Sequence, residues 1–272
     1  MSYSPKAADV AKLRNATGAG MMDSKKALVE AEGDFDKAVE LLRKKGQKVA
    51  ANRADRENLE GAAIAAVNFD NTKAAIIKLS CETDFVAKNE DFVKLATEFA
   101  NLALNFSNKE DLLASDFHGI PVSEKLIEQT GVIGEKIEIS EFKTIEAPFV
   151  GAYIHAGNKI AAAVGLSKVI DNAAEVAKNV SMQVAAMNPI ALDESKVDSS
   201  VIEKELEIAK DQLRQEGKPE NMLENIAKGK LNKFFKDNTL VKQDYIMGEK
   251  ISVEDYVKSI DPEVKITEFI RI

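Results

Sequence analysis

The sequence predicts an α+β protein: an N-terminal unit of three helices, then a duplicated strand-turn-strand-helix body with an inserted antiparallel helical hairpin. Three features of the chain carry this. Short amphipathic segments punctuated by glycine fill residues 4–46. The stretch Ala74-Ala-Ile-Ile-Lys-Leu-Ser80 returns as Ala161-Ala-Ala-Val-Gly-Leu-Ser167, and a long helical pattern follows each copy. Finally, Ile202, Leu206, Ala209 and Leu213 are spaced four, three and four residues apart, as in a coiled-coil seam.

In the N-terminal unit, Pro5 can open the first helix, with Val10 and Leu13 on one face. Thr17-Gly-Ala-Gly20 ends it, because its glycines tolerate the positive φ of a tight turn. A second helix is expected from about Asp23, as N-cap, to Glu32. Asp34 caps the third, whose buried stripe is Phe35, Val39 and Leu42 and which Gly46 closes, leaving Lys44 and Lys45 in the last turn. Met21 and Met22 can fill a small core or meet a partner, one pointing each way. Residues 47–60 are polar and read as a linker with some helix.

In the body, the strands are expected at Gly61–Phe69, Ala74–Ser80, Val150–His155 and Ala161–Ser167, with the second turn three residues shorter than the first. Helices follow near 88–106 and 171–187, with a short helix near 122–130 and a strand at Lys136–Phe142 between the two copies. Gly217-Lys218-Pro219 breaks the hairpin, and Leu223, Ile226 and Phe234 line its second arm. After it come β segments at Val241–Met247 and Val264–Ile270, separated by a helix that the capping box Ser252-Val-Glu-Asp255 begins.

Composition narrows the function classes. With 45% hydrophobic and 30% charged residues, the 272-residue chain can build a core of ordinary size, made of Ala, Val, Ile and Leu because Trp is absent. The net charge of −8 is uneven: residues 1–55 hold eleven Lys and Arg against eight Asp and Glu, so the remainder carries −11. An acidic body is unsuited to displacing phosphate counterions, which argues against direct nucleic-acid binding and for a protein partner. A single cysteine, no apolar signal core in the first residues and no membrane-spanning stretch give the expectation of a cytoplasmic protein.

Chemistry-bearing constellations are few. There is no phosphate-cradling glycine loop and no metal-ligand spacing, so no cofactor is expected. An enzyme would use Cys81 as nucleophile, His155 or His118 as base and Asp84 as orienter. Against it, cysteine is among the most buried residue types and suits a strand end as a small core residue. The segment Cys81-Glu-Thr-Asp-Phe-Val-Ala-Lys-Asn89 is more unusual, since it sets Phe85 in a loop between a buried strand and a helix. The ring can pack on its own helix or, if exposed, anchor in a partner's pocket. Thr83 and Asp84 can cap the helix that follows.

Thr17-Gly-Ala-Gly-Met-Met-Asp23 together with Thr83-Asp-Phe-Val-Ala-Lys88 resembles the bacterial elongation factor Ts family. Lys25-Lys-Ala-Leu28, Gly33-Asp34, Tyr153 with His155, Gly217-Lys-Pro219 and Phe269-Ile-Arg271 extend the resemblance, in family order, over essentially the whole chain. It implies a ubiquitin-associated-like domain at 1–55, core subdomains at 56–146 and at 147–196 with 236–272, and a dimerisation or coiled-coil arm at 197–235. It also implies a nucleotide exchange factor that performs no covalent chemistry, binds elongation factor Tu and dislodges Mg²⁺ so that GDP leaves. Carried over by position, Thr83, Asp84, Phe85 and Val86 form the Mg²⁺-dislocation segment, with Phe85 as wedge; Arg14, Met21, Met22 and His155 are partner contacts. A homodimer or a 2:2 complex with Tu is compatible with the arm. Many members continue past the Phe-Ile-Arg strand, whereas this sequence ends at Ile272. A competing reading makes residues 1–55 a ubiquitin-type recognition domain on an unrelated body.

Overall fold

The structure is a computed structural model that describes residues 3–248 and 250–272; the first two residues of the N-terminal segment lie outside it. It is α+β, with three N-terminal helices followed by small antiparallel sheets mixed with helices. The chain divides into two compact units, Met1–Ala63 with Ile77–Phe142 and Ile64–Ile76 with Lys143–Ile272.

Helix α1 (Ala7–Thr17) ends where Gly18 takes φ 70 and donates its N–H to the Arg14 carbonyl, a left-handed cap that suits glycine. Helix α2 (Met21–Glu30) starts two residues before the expected cap, so Asp23 lies in its first turn instead, where a carboxylate suits the helix dipole. Helix α3 (Phe35–Arg53) is capped as expected, the Asp34 side chain accepting from the Lys37 N–H at 3.0 Å. It does not stop at Gly46. The helix-favouring residues after Gly46 continue for two more turns, so Lys44 and Lys45 lie mid-helix and pair with Glu40 and Asp23. Val10, Leu13, Ala27, Leu28, Ala31 and Ala38 form the buried cluster of the three helices. Few of these are large, so this core is thin and α3 needs a second neighbour. It finds one in α7 (Val122–Ile133), introduced below.

Strands β1 (Glu60–Val67) and β2 (Lys73–Cys81) are joined through Asn68–Thr72. β2 is buried along most of its length, which its unalternating Ala-Ile-Ile run reflects. The short α4 (Asp84–Ala87) and α5 (Glu90–Ala103) follow, and α5 buries Phe92, Ala96, Phe99 and Ala100. Helix α6 (Lys109–Ala114) and a minimal ladder of β3 (Asp116–Phe117) with β4 (Ile120–Pro121) lead to α7. The Phe117 ring meets Phe99 at a centroid distance of 4.9 Å. Strand β5 (Glu138–Glu146) completes a sheet ordered β1-β2-β5.

In the second unit, β6 (Phe149–Ile154), β7 (Ala161–Leu166) and β8 (Ile266–Arg271) form an antiparallel sheet in that order. Helix α8 (Ala173–Met187) covers it with Val176, Ala177, Val180 and Val184. The turns of the two hairpins run over 68–72 and 155–160, so the second is not the shorter, and Phe69 lies in the first turn instead of ending its strand. Helices α9 (Ser199–Gln215) and α10 (Glu220–Asn238) pack through Leu206, Ala209 and Leu213 against Leu223, Ile226 and Ala227.

The segment Val241–Met247 is not a strand. Gln243 and Tyr245 turn inward as an alternating pattern requires. The Tyr245 N–H donates to the Ile251 carbonyl at 2.8 Å and the Gln243 carbonyl accepts from the Val253 N–H at 3.0 Å, but the Asp244–Ser252 bridge between them stays isolated. The Val241 N–H donates to the Leu192 carbonyl and the Val241 carbonyl accepts from the Glu254 N–H, both at 3.0 Å, so the backbone partners of this segment come from separate stretches and not from one neighbouring strand. Buried Gln183 bonds its Gln243 side chain at 3.1 Å instead, and the stacked rings of Tyr245 and Tyr256 close the site. Helix α11 (Val253–Ile260) begins as the capping box foretold, Ser252 Oγ accepting from the Asp255 N–H at 3.0 Å.

Candidate functional site: an exposed aromatic on a capped turn

The site begins where β2 runs out. Ser80 and Cys81 are buried, and the chain then turns to the surface at Glu82 and Thr83. Thr83, in extended conformation, caps α4 by accepting from the Val86 N–H at 3.5 Å. Asn89 caps α5 directly afterwards, its Oδ1 accepting from Asp91 at 2.9 Å and Phe92 at 3.2 Å. Two caps within seven residues leave room for a single helical turn between them. In that turn Ala87 is buried, and a residue two places earlier lies about 200° round the helix. Phe85 therefore points outward, and it is 84% exposed. Of the two uses open to this ring, packing on its own helix is ruled out. Asp84 pairs with Lys88 at 2.6 Å across the turn, and Val86 is half-buried.

Phe85 and Val86 border a groove of about 570 Å³, whose other walls include Leu95 of α5, Val132 and Ile133 of α7, and Gly18. The α1–α2 turn and the aromatic thus share one concavity, though 67 residues separate Gly18 from Phe85 in sequence. Arg14 is exposed near the end of α1. Met21 and Met22 do not divide between core and solvent: they are 59% and 64% exposed, since α2 turns Ser24, Ala27 and Leu28 inward instead. His155 is exposed at the first position of the β6–β7 turn, with its Nδ1 3.0 Å from the Tyr153 hydroxyl. It belongs to the second unit, whereas Arg14, Met21, Met22 and the Thr83–Val86 segment belong to the first.

Four residues escaped the sequence reading. Glu135 accepts hydrogen bonds from the Glu82 and Thr83 N–H groups, both at 3.0 Å, and from the Thr83 hydroxyl at 2.6 Å. Glu82 accepts in turn from the Lys136 N–H and from Arg53 Nη1, both at 2.7 Å. Burial raises the Glu82 pKa, but these two donors outweigh it and hold the carboxyl below its usual range. Nothing in the spacing of these residues announces the contact. The available signal was Gly134, a left-handed cap at φ 80 that makes the chain leave α7 just before Glu135.

Cys81 is not a nucleophile. It is fully buried, its Sγ donates to the Thr83 carbonyl at 3.2 Å, and burial followed by the Glu135 charge pushes its pKa up to about 12. A thiol with that pKa is protonated throughout the physiological range and unreactive. The native protein is therefore expected to resist a thiol-specific chromogenic disulfide at mildly alkaline pH and to react once unfolded. Rapid labelling of the native chain would show that the strand end opens. His118 lies on the β3–β4 turn with its ring against Phe117. Among the described residues, no group of three or more His, Cys, Asp or Glu is placed to hold a metal ion, and no helix is long and apolar enough to cross a membrane.

A family model described as "Elongation factor TS" matches residues 82–272. Elongation factor Ts of Christiangramia forsetii is 69% identical over 266 residues, covering 98% of this chain and 97% of its own. The factor of Flavobacterium psychrophilum is 67% identical over 265 residues, with 97% of each chain covered. That of Amoebophilus asiaticus is 50% identical over 269 residues, with 98% and 97% covered. Identity of this level over nearly the whole length places the chain in the elongation factor Ts family, the non-catalytic nucleotide exchange factors that serve elongation factor Tu in translation elongation.

Proposed function

We propose that Phe85 is a wedge that enters elongation factor Tu and loosens its Mg²⁺ site, so that GDP leaves and GTP can enter. The observation that carries this is an aromatic ring 84% exposed on a turn capped at both ends. A side chain of this kind loses water only when a partner covers it. Thr83, Asp84 and Val86 complete the segment. Arg14, Met21 and Met22 serve as contacts to the nucleotide-binding domain, and their exposure supports that use. His155 is a contact from the second unit.

Magnitudes support a distributed grip. GDP bound at nanomolar strength represents about 12 kcal/mol. Burying one Phe yields about 1.5–3 kcal/mol, so several contacts must hold Tu while the ring intrudes. Loss of Mg²⁺ removes the charge that offsets the diphosphate, which makes the metal an effective lever.

On this reading the chain has four modules: a ubiquitin-associated-like domain at 1–55, core subdomains at 56–146 and at 147–196 with 236–272, and an arm for dimerisation or coiled-coil contact at 197–235. Duplication of the core is supported by Asn71 and Asn158, which occupy matching turns with φ 58 and 57. The factor acts in the cytoplasm, on Tu and not on nucleic acid, either alone or as a homodimer or 2:2 complex.

The test is release of a fluorescent GDP from the cognate Tu with and without this protein, in Mg²⁺ and after chelation. Acceleration is expected in Mg²⁺ and should shrink once the metal is removed. An acceleration of equal size in both conditions would discard the metal as the lever.

A further inference from the structure

The geometry points to Glu135 as the positioning residue that holds the Phe85 segment rigid, an inference that rests on the wedge reading and deepens it. Three donors converge on its carboxylate: the N–H groups of Glu82 and Thr83 on Oε2 at 3.0 Å each, and the Thr83 hydroxyl on Oε1 at 2.6 Å. Thr83 is the cap whose backbone angles set the direction of α4. Its N–H, its hydroxyl and the preceding N–H are thus all tied to the residue that follows the Gly134 cap of α7. The grip is returned by Glu82, whose Oε1 takes the Lys136 N–H at 2.7 Å while Arg53 Nη1 binds the same oxygen. Each carboxylate holds the backbone of the other's segment, across 53 residues of sequence.

This arrangement matters because an exposed ring has little of its own to brace it. A side chain that distorts a partner must be backed by something stiffer than the site it enters, or its own loop yields first. The Glu135 bonds carry that load to α7. Thr83 is exposed, so water can replace Glu135 as acceptor for its N–H at small cost to folding. What is lost without Glu135 is direction, not the fold.

The test compares Glu135→Ala, Glu135→Asp and Glu135→Gln by the maximal rate of GDP release at saturating factor, by the factor concentration giving half that rate, and by thermal unfolding. Glu135→Ala is expected to lower the maximal rate about tenfold while shifting half-saturation by less than about threefold. Aspartate keeps the charge but is one methylene too short to span both donor sets, so it should behave like alanine. Glutamine keeps the length: its amide oxygen can accept both N–H groups and its NH₂ can donate to the Thr83 hydroxyl. It should stay within about threefold of the parent rate. Amide hydrogen exchange at Glu82 and Thr83 should quicken in the alanine variant.

The inference is overturned if Glu135→Ala keeps the full rate, if rate and half-saturation worsen in proportion, or if aspartate rescues and glutamine does not. Should the alanine variant fail to fold, the aspartate and glutamine pair decides the matter. Phe85→Ala, run alongside, separates the two levels. A slow Phe85→Ala with a normal Glu135→Ala removes only the positioning role; a normal Phe85→Ala removes the wedge and the positioning role together.

Discussion

Replacing Phe85 by alanine is expected to slow GDP release from elongation factor Tu about 10- to 100-fold, while the affinity of the factor for Tu falls by less. The range follows from the burial free energy of one Phe side chain, about 1.5–3 kcal/mol, at 1.4 kcal/mol per decade. The asymmetry follows from linkage. Binding energy spent on distorting the nucleotide site is not realised as affinity for the factor, and it reappears as weakened nucleotide binding. Folding should be unaffected, because the ring is 84% exposed and its removal opens no cavity. Stopped-flow release at saturating factor, with a binding titration on the same preparations, measures both quantities. Equal losses in the two would make Phe85 an ordinary anchor.

The second large effect is expected where α3 crosses α7. A Cβ on Gly131 would lie 2.5 Å from the Gly46 Cα, a contact that backbone atoms cannot relieve without moving one helix. On the other side of the same crossing, a Cβ on Gly46 meets nothing nearer than the Ile127 carbonyl oxygen at 3.4 Å. Alanine is favoured over glycine inside a helix by about 1 kcal/mol, and overpacking costs about 1–3 kcal/mol or more. A 2.5 Å approach to backbone belongs at the upper end of that cost, so Gly131→Ala is destabilising by about 2 kcal/mol or more once the propensity gain is set against the clash. Gly46→Ala keeps most of that gain and is neutral to mildly stabilising. Urea unfolding of the two variants reads the difference, and equal effects would show that the crossing is looser than these distances. Since α3 holds the helix pair that bears Arg14, Met21 and Met22, Gly131→Ala should also weaken binding to Tu.

The same crossing shows why part of the fold was hidden in the sequence. A glycine followed by a polar stretch reads as a helix end, because local propensity penalises glycine there. Gly46 stays helical because Gly131, 85 positions away, lets the two backbones approach, and no local window contains that fact. Val241–Met247 misled in the opposite direction: its pattern was right for a strand, but a strand needs one neighbouring strand, and the backbone partners here come from Leu192 and from residues 251–254. Asp34 and Ser252 were legible because a cap is satisfied within four residues.

The candidate site divides along the same line. Sequence alone was enough to single out the Cys81–Asn89 segment and Thr83 as a capping residue, though Asp84 falls inside α4 and Asn89 caps α5 unannounced. It was also enough to expect the pairing of hairpin arms along Leu206, Ala209 and Leu213, and to identify the family by motifs in fixed order. These depend on contacts between near neighbours or on a period repeated along one helix. Whether Phe85 faced its own helix or the solvent, whether Met21 and Met22 were core, and what holds Thr83 in place were decided only by tertiary structure. The reason is physical: outward direction comes from the residue that is buried opposite, here Ala87, and rigidity comes from Glu135 and Glu82 reaching across from separate segments. Such long-range pairings leave no periodic trace in the chain that makes them.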